Sequence, residues 1–178
     1  MPVDERFRPG IKPPESLEGE HFWFVVHDGR VLLSESGGRL PLPQFRRIGL
    51  TGLDVGDRHY LGTLDGRHVF AVGLTQAQPA PAGMYFEDMR RLLAADDPLL
   101  FGLAGRARQI VDWANDHRYC SRCGQPSAPH AGDRAMVCTA CGYAQYPRVS
   151  PCVIVLVTRG REVLLARSPR FPRGIRPA

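Results

Sequence analysis

The sequence has no long apolar run and almost no lysine. Its longest purely aliphatic stretch, VIVLV at residues 153–157, is far too short to cross a bilayer. The opening MPVDERFRPG is charged and contains proline, so it lacks the apolar core of a secretory signal peptide. Of the 23 basic residues only Lys12 is a lysine, and the formal net charge is +5. We therefore expect a cytoplasmic protein with no membrane partner.

Several common catalytic signatures are also missing. The chain has no Walker phosphate loop, no GxGxxG motif and no Ser–His–Asp arrangement, so nothing favours the enzyme classes that depend on them. Arginine binds phosphate through planar, bidentate contacts. The excess of arginine is therefore compatible with a phosphate-bearing partner, although a GC-rich genome explains the same excess.

The first half of the chain has the pattern of a small β-rich layer. The apolar runs at 21–26 and 30–33 flank the turn signal HDG, and those at 58–64 and 68–74 flank DGR. Asp-Gly between two such runs is typical of a tight β-hairpin. The Pro-rich residues 75–83 predict a linker.

Two helices are predicted after this linker. In the first, FEDMRRLLAA, we expect Phe86, Met89 and Leu93 on one face. In the second, Asp97 is the expected N-cap and Pro98 lies in the first turn. This helix is expected to end at 115–117, just before the cysteines. Its predicted apolar stripe, which suits core packing, consists of Leu99, Leu103, Ala107, Ile110 and Ala114.

Four of the five cysteines occur as two CxxCG units separated by 14 residues. Thiols stay reduced in the cytosol, so this spacing predicts a metal site rather than disulfides. A redox role for either CxxC is the alternative. Zinc takes four thiolates tetrahedrally, and a complete set leaves no open position for water, so the predicted zinc is structural. The predicted ligands are Cys120, Cys123, Cys138 and Cys141.

The residues around the two units add further expectations. The intervening segment is long enough for a short β-hairpin. Arg118, Arg122 and Arg134 lie close in sequence and are candidates to offset the negative charge of the thiolate cluster. His117 and His130 are not needed as ligands, because four cysteines already fill the zinc shell.

A buried strand and its hairpin partner are predicted after the cysteine unit. Residues 150–157, SPCVIVLV, form a near-continuous apolar run of the kind found in strands that are buried on both faces. Residues 161–168, REVLLARS, are expected to pair with this strand across TRG. Cys152 lies inside the run and is expected to be buried as a small apolar side chain.

The order LFGLAGRARQIVDWANDH, two CxxCG units, YPRVSP and LLARS is specific. This combination resembles the NADH pyrophosphatases of the Nudix hydrolase superfamily. The resemblance is strong over 99–171 and weaker over 21–98. It implies an α+β fold with a β-rich N-terminal domain and two helices, a four-cysteine zinc ribbon, and the first strands of an incomplete Nudix α/β fold. The implied parts are the N-terminal domain at 1–98, a connecting helix at 99–117, the zinc ribbon at 118–148 and the start of the Nudix domain at 149–178.

The resemblance also implies a function. Members of the family split the pyrophosphate of NADH or NAD⁺ into NMN(H) and AMP with Mg²⁺ or Mn²⁺, and some remove NAD caps from RNA; relatives are homodimers. Matching positions assign substrate contacts to Arg91, Asp133 and Tyr146, although the family often has glutamate where Asp133 stands. Other roles remain open: a solvated helix residue for Arg91, a turn residue for Asp133 and a packing aromatic for Tyr146.

The catalytic motif of that superfamily is absent from the sequence. Nudix chemistry uses G-x5-E-x7-R-E-U-x-E-E-x-G-U, where U is aliphatic and the glutamates surround metal ions. REV at 161–163 fits three letters, but LLAR follows. Hard cations need clustered oxygen ligands. After Asp97 the only carboxylates are Asp112, Asp116, Asp133 and Glu162.

These observations leave open whether the chain is an enzyme by itself. We expect a truncated or frameshifted family member, read out of frame after about Pro172. One alternative is a non-catalytic zinc-ribbon module that binds a nucleotide or RNA. The other is a non-functional remnant whose unpaired strands favour association or degradation.

Overall fold

The computed structural model describes residues 5–35, 41–46, 48–94 and 97–165, and the chain forms two units, Met1–Pro147 and Arg148–Ala178. The first unit has an α+β fold. It contains a seven-stranded mixed sheet, two helices and a smaller three-stranded sheet. The strands of the large sheet are β1 (Phe7–Pro9), β2 (His21–His27), β3 (Arg30–Ser34), β4 (Gln44–Phe45), β5 (His59–Leu64), β6 (Arg67–Gly73) and β7 (Met84–Asp88).

Both predicted Asp-Gly hairpins are confirmed. β2 pairs with β3 and β5 pairs with β6, each in antiparallel register. Asp28 and Gly29 have φ values of 46° and 72°, and Asp65 and Gly66 have 49° and 77°. Two successive positive φ values match the right-handed twist of the flanking strands, which is why Asp-Gly is favoured in such turns.

The two hairpins are joined through parallel pairing of β2 with β6, in the order β1-β5-β6-β2-β3-β7. β2 is buried along almost its whole length. Phe24 and Val26 lie in the core that includes the helices, whereas Trp23 and Val25 lie in the core on the other face. A strand covered on both faces is apolar without alternation, and HFWFVV has that composition.

The long helix α2 (Pro98–Asp116) packs on this sheet as predicted. The Oδ1 atom of Asp97 accepts a hydrogen bond from the Leu100 N–H at 2.9 Å, and His117 forms the C-cap. A Cβ atom added at Gly73 of β6 would lie 2.8 Å from Val111 Cγ1, so the helix approaches the sheet closely at this glycine. The predicted stripe is buried at all five positions: Leu99, Leu103, Ala107, Ile110 and Ala114.

The prediction for the first helix, α1 (Met89–Ala94), was wrong at its start and in its buried face. Phe86 belongs to β7, which pairs with β3 over its five residues. The helix begins only after Asp88, whose Oδ1 accepts from the Arg90 N–H at 2.7 Å. Because strand pairing takes up residues through Asp88, the helix begins three residues later than predicted, at Met89, and a different set of side chains is buried. Leu92 is 3% exposed, whereas Leu93, which was expected on the same face as Phe86 and Met89, is 65% exposed.

The predicted buried strand at 150–157 was also wrong. Residues 151–157 adopt no strand, and the side chain of Ile154 is fully exposed. Cys152 is exposed as well, so it is not a core residue. Within the described part of the second unit, the only strands are β11 (Thr158–Arg159) and β12 (Glu162–Val163). They pair across a turn at residues 160–161, so Thr158 and Arg159, which were expected in the turn TRG, belong to a strand instead. A strand that is buried on both faces needs neighbours on both sides; among the described residues, the backbone pairing seen for 151–157 is one hydrogen bond, from the Leu164 N–H to the Val157 carbonyl oxygen at 3.0 Å. Residues 166–168 of the predicted hairpin lie outside the described residues.

No helix in the described ranges is both long enough and apolar enough to span a membrane.

Replacement of Asp97 by alanine tests the N-cap. The Leu100 N–H then loses its acceptor, so we expect the Asp97→Ala variant to lose about 1 kcal/mol of unfolding free energy in urea titrations. Asp116→Ala is the matched control, because an acid at the last turn faces the negative end of the helix dipole and its removal is neutral or slightly stabilising. Equal losses in both variants would contradict the assigned cap.

Candidate metal centre

The four predicted cysteine ligands converge on one point. Their sulfur atoms all lie within 4.8 Å of one another. The Sγ–Sγ distances are 3.7 Å for Cys120 and Cys141, 3.5 Å for Cys123 and Cys138, and 3.6 Å for Cys123 and Cys141. Zn–S bonds of about 2.3 Å in a tetrahedron place sulfurs about 3.8 Å apart. The cluster therefore fits a four-thiolate zinc ion closely.

Local backbone turns aim the sulfurs inward. The Cys120 sulfur accepts from the Arg122 N–H at 3.4 Å, and the Cys138 sulfur accepts from the Cys141 N–H at the same distance. Such bonds stabilise thiolates. A glycine with positive φ follows each CxxC pair and closes its turn. The φ values of 73° and 71° belong to Gly124 and Gly142.

The predicted hairpin between the two CxxCG motifs is confirmed. β8 (Ser127–Pro129) and β9 (Met136–Cys138) are antiparallel, and β10 (Ala144–Gln145) adds to the other edge of β9. Cys138 is the last residue of β9. The ribbon sheet therefore carries one ligand directly, and the turns supply the others.

The electrostatics of the cluster call for a cation. The N–H of Cys141 is the main cause that lowers the pKa of Cys138 to about 6. The N–H of Gln125 acts to lower the pKa of Cys123, but its hydrogen bonds with the other sulfurs, together with burial, raise that pKa to about 12. Neighbouring thiols thus compete for ionisation. A divalent ion at their centre removes this competition and allows all four to ionise.

The ribbon contacts the rest of the first unit through the apolar side chain of Met136 and the guanidinium of Arg134. Met136 packs against Trp113 and Ala114 near the end of α2. The Nη2 atom of Arg134 donates to two backbone carbonyl oxygens, at 2.8 Å to Gly10 and 2.7 Å to Tyr60. Sequence reasoning missed this role, because no local signal links Arg134 to a carbonyl that lies 124 residues away.

The other two arginines that were expected near the cluster make their own contacts. Arg118 donates to the Asn115 Oδ1 atom at 2.6 Å. The Arg122 guanidinium lies over the Tyr143 ring, 4.3 Å from its centroid. In the described residues, therefore, the guanidinium groups of all three arginines contact groups other than the sulfurs.

The structure places the three predicted substrate residues on separate elements. Arg91 lies in α1 with an 80% exposed side chain, 3.8 Å from the Glu87 carboxylate. Asp133 lies in the loop between β8 and β9, and its carboxylate is 3.7 Å from the His130 Nδ1 atom. Tyr146 follows β10 and is 55% exposed. Among the described residues no hydrogen bond or ion pair joins two of these three, and their roles stay predictions.

Two family models match the chain. A model described as the NADH pyrophosphatase-like rudimentary NUDIX domain covers residues 20–113, and one described as the NADH pyrophosphatase zinc ribbon domain covers residues 115–146. The second range contains the whole sulfur cluster.

The chain is also similar to curated proteins named NAD-capped RNA hydrolase NudC. It is 44% identical to the Stutzerimonas stutzeri (strain A1501) protein over 154 residues, which cover 86% of this chain and 54% of that protein. It is 38% identical to the Pseudomonas entomophila (strain L48) protein over 174 residues, which cover 97% of this chain and 60% of that protein. The chain therefore spans little more than half the length of these relatives.

Loss of one ligand tests the metal centre. We expect about one zinc per chain in reduced, freshly purified protein, and Cys138→Ser to lose most of it, because metal binding supplies on the order of 10 kcal/mol to fold such a unit. The readouts are elemental analysis and release to a chromogenic chelator. The control is Cys152→Ser, which changes an exposed cysteine outside the cluster. Wild-type protein without zinc would contradict the assignment.

Proposed function

This chain belongs to the NADH pyrophosphatase-like family of Nudix proteins, and on that premise we propose that it acts in hydrolysis of the pyrophosphate of NADH or NAD⁺, including NAD caps on RNA. The products would be NMN(H) and AMP, or NMN(H) and 5′-monophosphorylated RNA. The observation that carries the proposal is the matched order of rudimentary Nudix domain and zinc ribbon, with four sulfurs placed for zinc. Relatives named NAD-capped RNA hydrolase support the RNA substrate.

We assign substrate contacts to Arg91, Asp133 and Tyr146. The Arg91 guanidinium is exposed and only loosely paired with Glu87, so it is available to a phosphate, which suits its planar fork. The exposed ring of Tyr146 offers a stacking surface for nicotinamide or adenine. Asp133 is exposed beside His130 and offers acceptors to ribose hydroxyl groups.

The hydrolytic step is assigned to other residues. Mg²⁺ and Mn²⁺ need clustered oxygen ligands, and the described residues contain one group fit for a metal, the four cysteines. The Nudix box is not among the 178 residues. We therefore propose that these 178 residues supply substrate binding and the structural zinc, and that Mg²⁺ or Mn²⁺ acts at a Nudix box outside them. The reduced thiols of the zinc site fit a cytoplasmic location.

A non-catalytic nucleotide- or RNA-binding module is the second candidate. Arg122 stacked on Tyr143 and the 67% exposed Tyr119 give the ribbon a surface of a kind that stacks on bases. This candidate binds through other residues than the first and differs from it in having no hydrolytic step.

One experiment tests nucleotide binding, the step that both candidate functions require. Purified protein is titrated with NADH by fluorescence, and in parallel it is incubated with NADH and Mn²⁺ while NMNH and AMP are followed by chromatography. We expect saturable binding without product release. Arg91→Ala should weaken binding about tenfold, because it removes a charge-assisted phosphate contact worth about 1.4 kcal/mol.

Arg90→Ala is the matched control, because Arg90 is the exposed neighbour of Arg91 in α1. Product release by this chain alone would show that the box is dispensable. Soluble, zinc-loaded protein with no NADH binding would reject the proposed function, and insoluble protein would favour the non-functional remnant.

A further inference from the structure

Two arginines from different elements lie at the junction of the ribbon and the large sheet. Arg134 extends from the β8–β9 loop to the carbonyl oxygen of Gly10, just beyond β1. Arg106 extends from α2 over the ring of Phe7 in the same strand, with its guanidinium carbon 5.5 Å from the ring centroid. We call this pair the arginine notch.

The notch has positive charge without a matching carboxylate. In the part of the chain that the structure describes, neither Arg106 nor Arg134 forms an ion pair, whereas Arg108, two residues along α2, pairs with Asp112 at 3.2 Å. Burial, and then the nearby charge of Arg106, lowers the pKa of Arg134. Two uncompensated cations close together favour a bound anion, because the anion relieves their repulsion.

The remaining acidic and basic groups near the notch do not cancel this charge. Burial lowers the pKa of His59, and the charge of Arg134 lowers it further against the opposing effect of Asp57. His59 is therefore neutral at pH 7 and adds no charge. Asp133 directs its carboxylate to His130.

The notch also has free hydrogen-bond donors. Both bonds of Arg134 to backbone carbonyls use Nη2, and within the described residues no partner is seen for its Nη1 and Nε donors. Arg106 is exposed and presents its guanidinium to solvent. One anchored and one accessible guanidinium are suited to a phosphate group, which accepts paired N–H bonds.

We propose that Arg106 and Arg134 bind a backbone phosphate of single-stranded RNA, next to the site for the dinucleotide. This inference rests on the proposed function and extends it to the nucleotides that follow the cap. Asp133, assigned to the dinucleotide, directly precedes Arg134. Arg106 is exposed, so its guanidinium is accessible to a chain that continues past the dinucleotide.

The test uses the complete 178-residue protein with zinc bound. An uncapped, fluorescent single-stranded RNA of about 12 nucleotides is titrated by anisotropy between about 50 and 200 mM salt. We expect Arg106→Gln to weaken RNA binding about fivefold to tenfold and to lower the slope of log K against log salt by about one, since one phosphate contact is lost. Binding of NADH should not change.

Arg108→Gln is the matched control, because it removes an equal charge from the same helix but one that Asp112 already neutralises. Arg134→Gln should weaken RNA binding similarly; its melting temperature and zinc content are measured because it also loses the contacts to Gly10 and Tyr60. The Arg106 comparison remains decisive if this variant does not fold.

Equal affinities and slopes for Arg106→Gln and Arg108→Gln, or no RNA binding by the wild type, would overturn the proposal. Loss of NADH binding in Arg106→Gln with unchanged RNA binding would also overturn it, because the phosphate would then belong to the dinucleotide. If the wild type binds RNA more tightly than Arg106→Gln but does not bind NADH, the RNA-binding role of Arg106 and Arg134 is supported and the proposed function is rejected.

Discussion

Four sulfur atoms that all lie within 4.8 Å of one another are the constraint on which the ribbon depends. As thiolates they repel one another, and as thiols they offer only weak hydrogen bonds, so neither state alone holds the two turns together. The three ribbon strands have two or three residues each, too few for a core of their own. The free energy of metal binding takes the place of that missing core.

The metal centre also determines what the ribbon presents to the rest of the first unit. Cys138 anchors one end of β9, and Met136 in the same strand then points toward Trp113 of α2. At the other end of β9, the turn that holds Asp133 and Arg134 is closed by the His130 N–H bond to the Ala135 carbonyl, at 2.8 Å. A metal ion bound at the cysteines would thus help to position Asp133 and Arg134 without contacting them.

The features that sequence predicts are those with local causes. The Asp-Gly turns, the Asp97 cap and the convergence of the four cysteine sulfurs each depend on a few neighbouring residues, and each is observed in the structure. The start of α1 depends on pairing between β7 and β3, which no periodicity within FEDMRRLLAA reveals. The partners of Arg134 are equally remote in sequence. The substrate residues and the boundaries at 98, 117 and 148 remain predictions, because they were carried over from a resemblance; the expected frame change after about Pro172 lies outside the described residues.

Several arginines make contacts in this structure that lysine could not replace. Four arginines lie over aromatic rings, with guanidinium carbons 4.3–5.8 Å from the centroids of Phe70, Phe22, Phe7 and Tyr143. Arg134 donates to two carbonyl oxygens through Nη2 alone, which leaves the N–H groups of Nη1 and Nε for other acceptors. A lysine ammonium is more strongly hydrated, stacks poorly and has no second nitrogen to offer a ligand. The positions of these five arginines suit the planar guanidinium group, which can cover an aromatic ring or join Tyr60 of β5 to Gly10, just beyond β1.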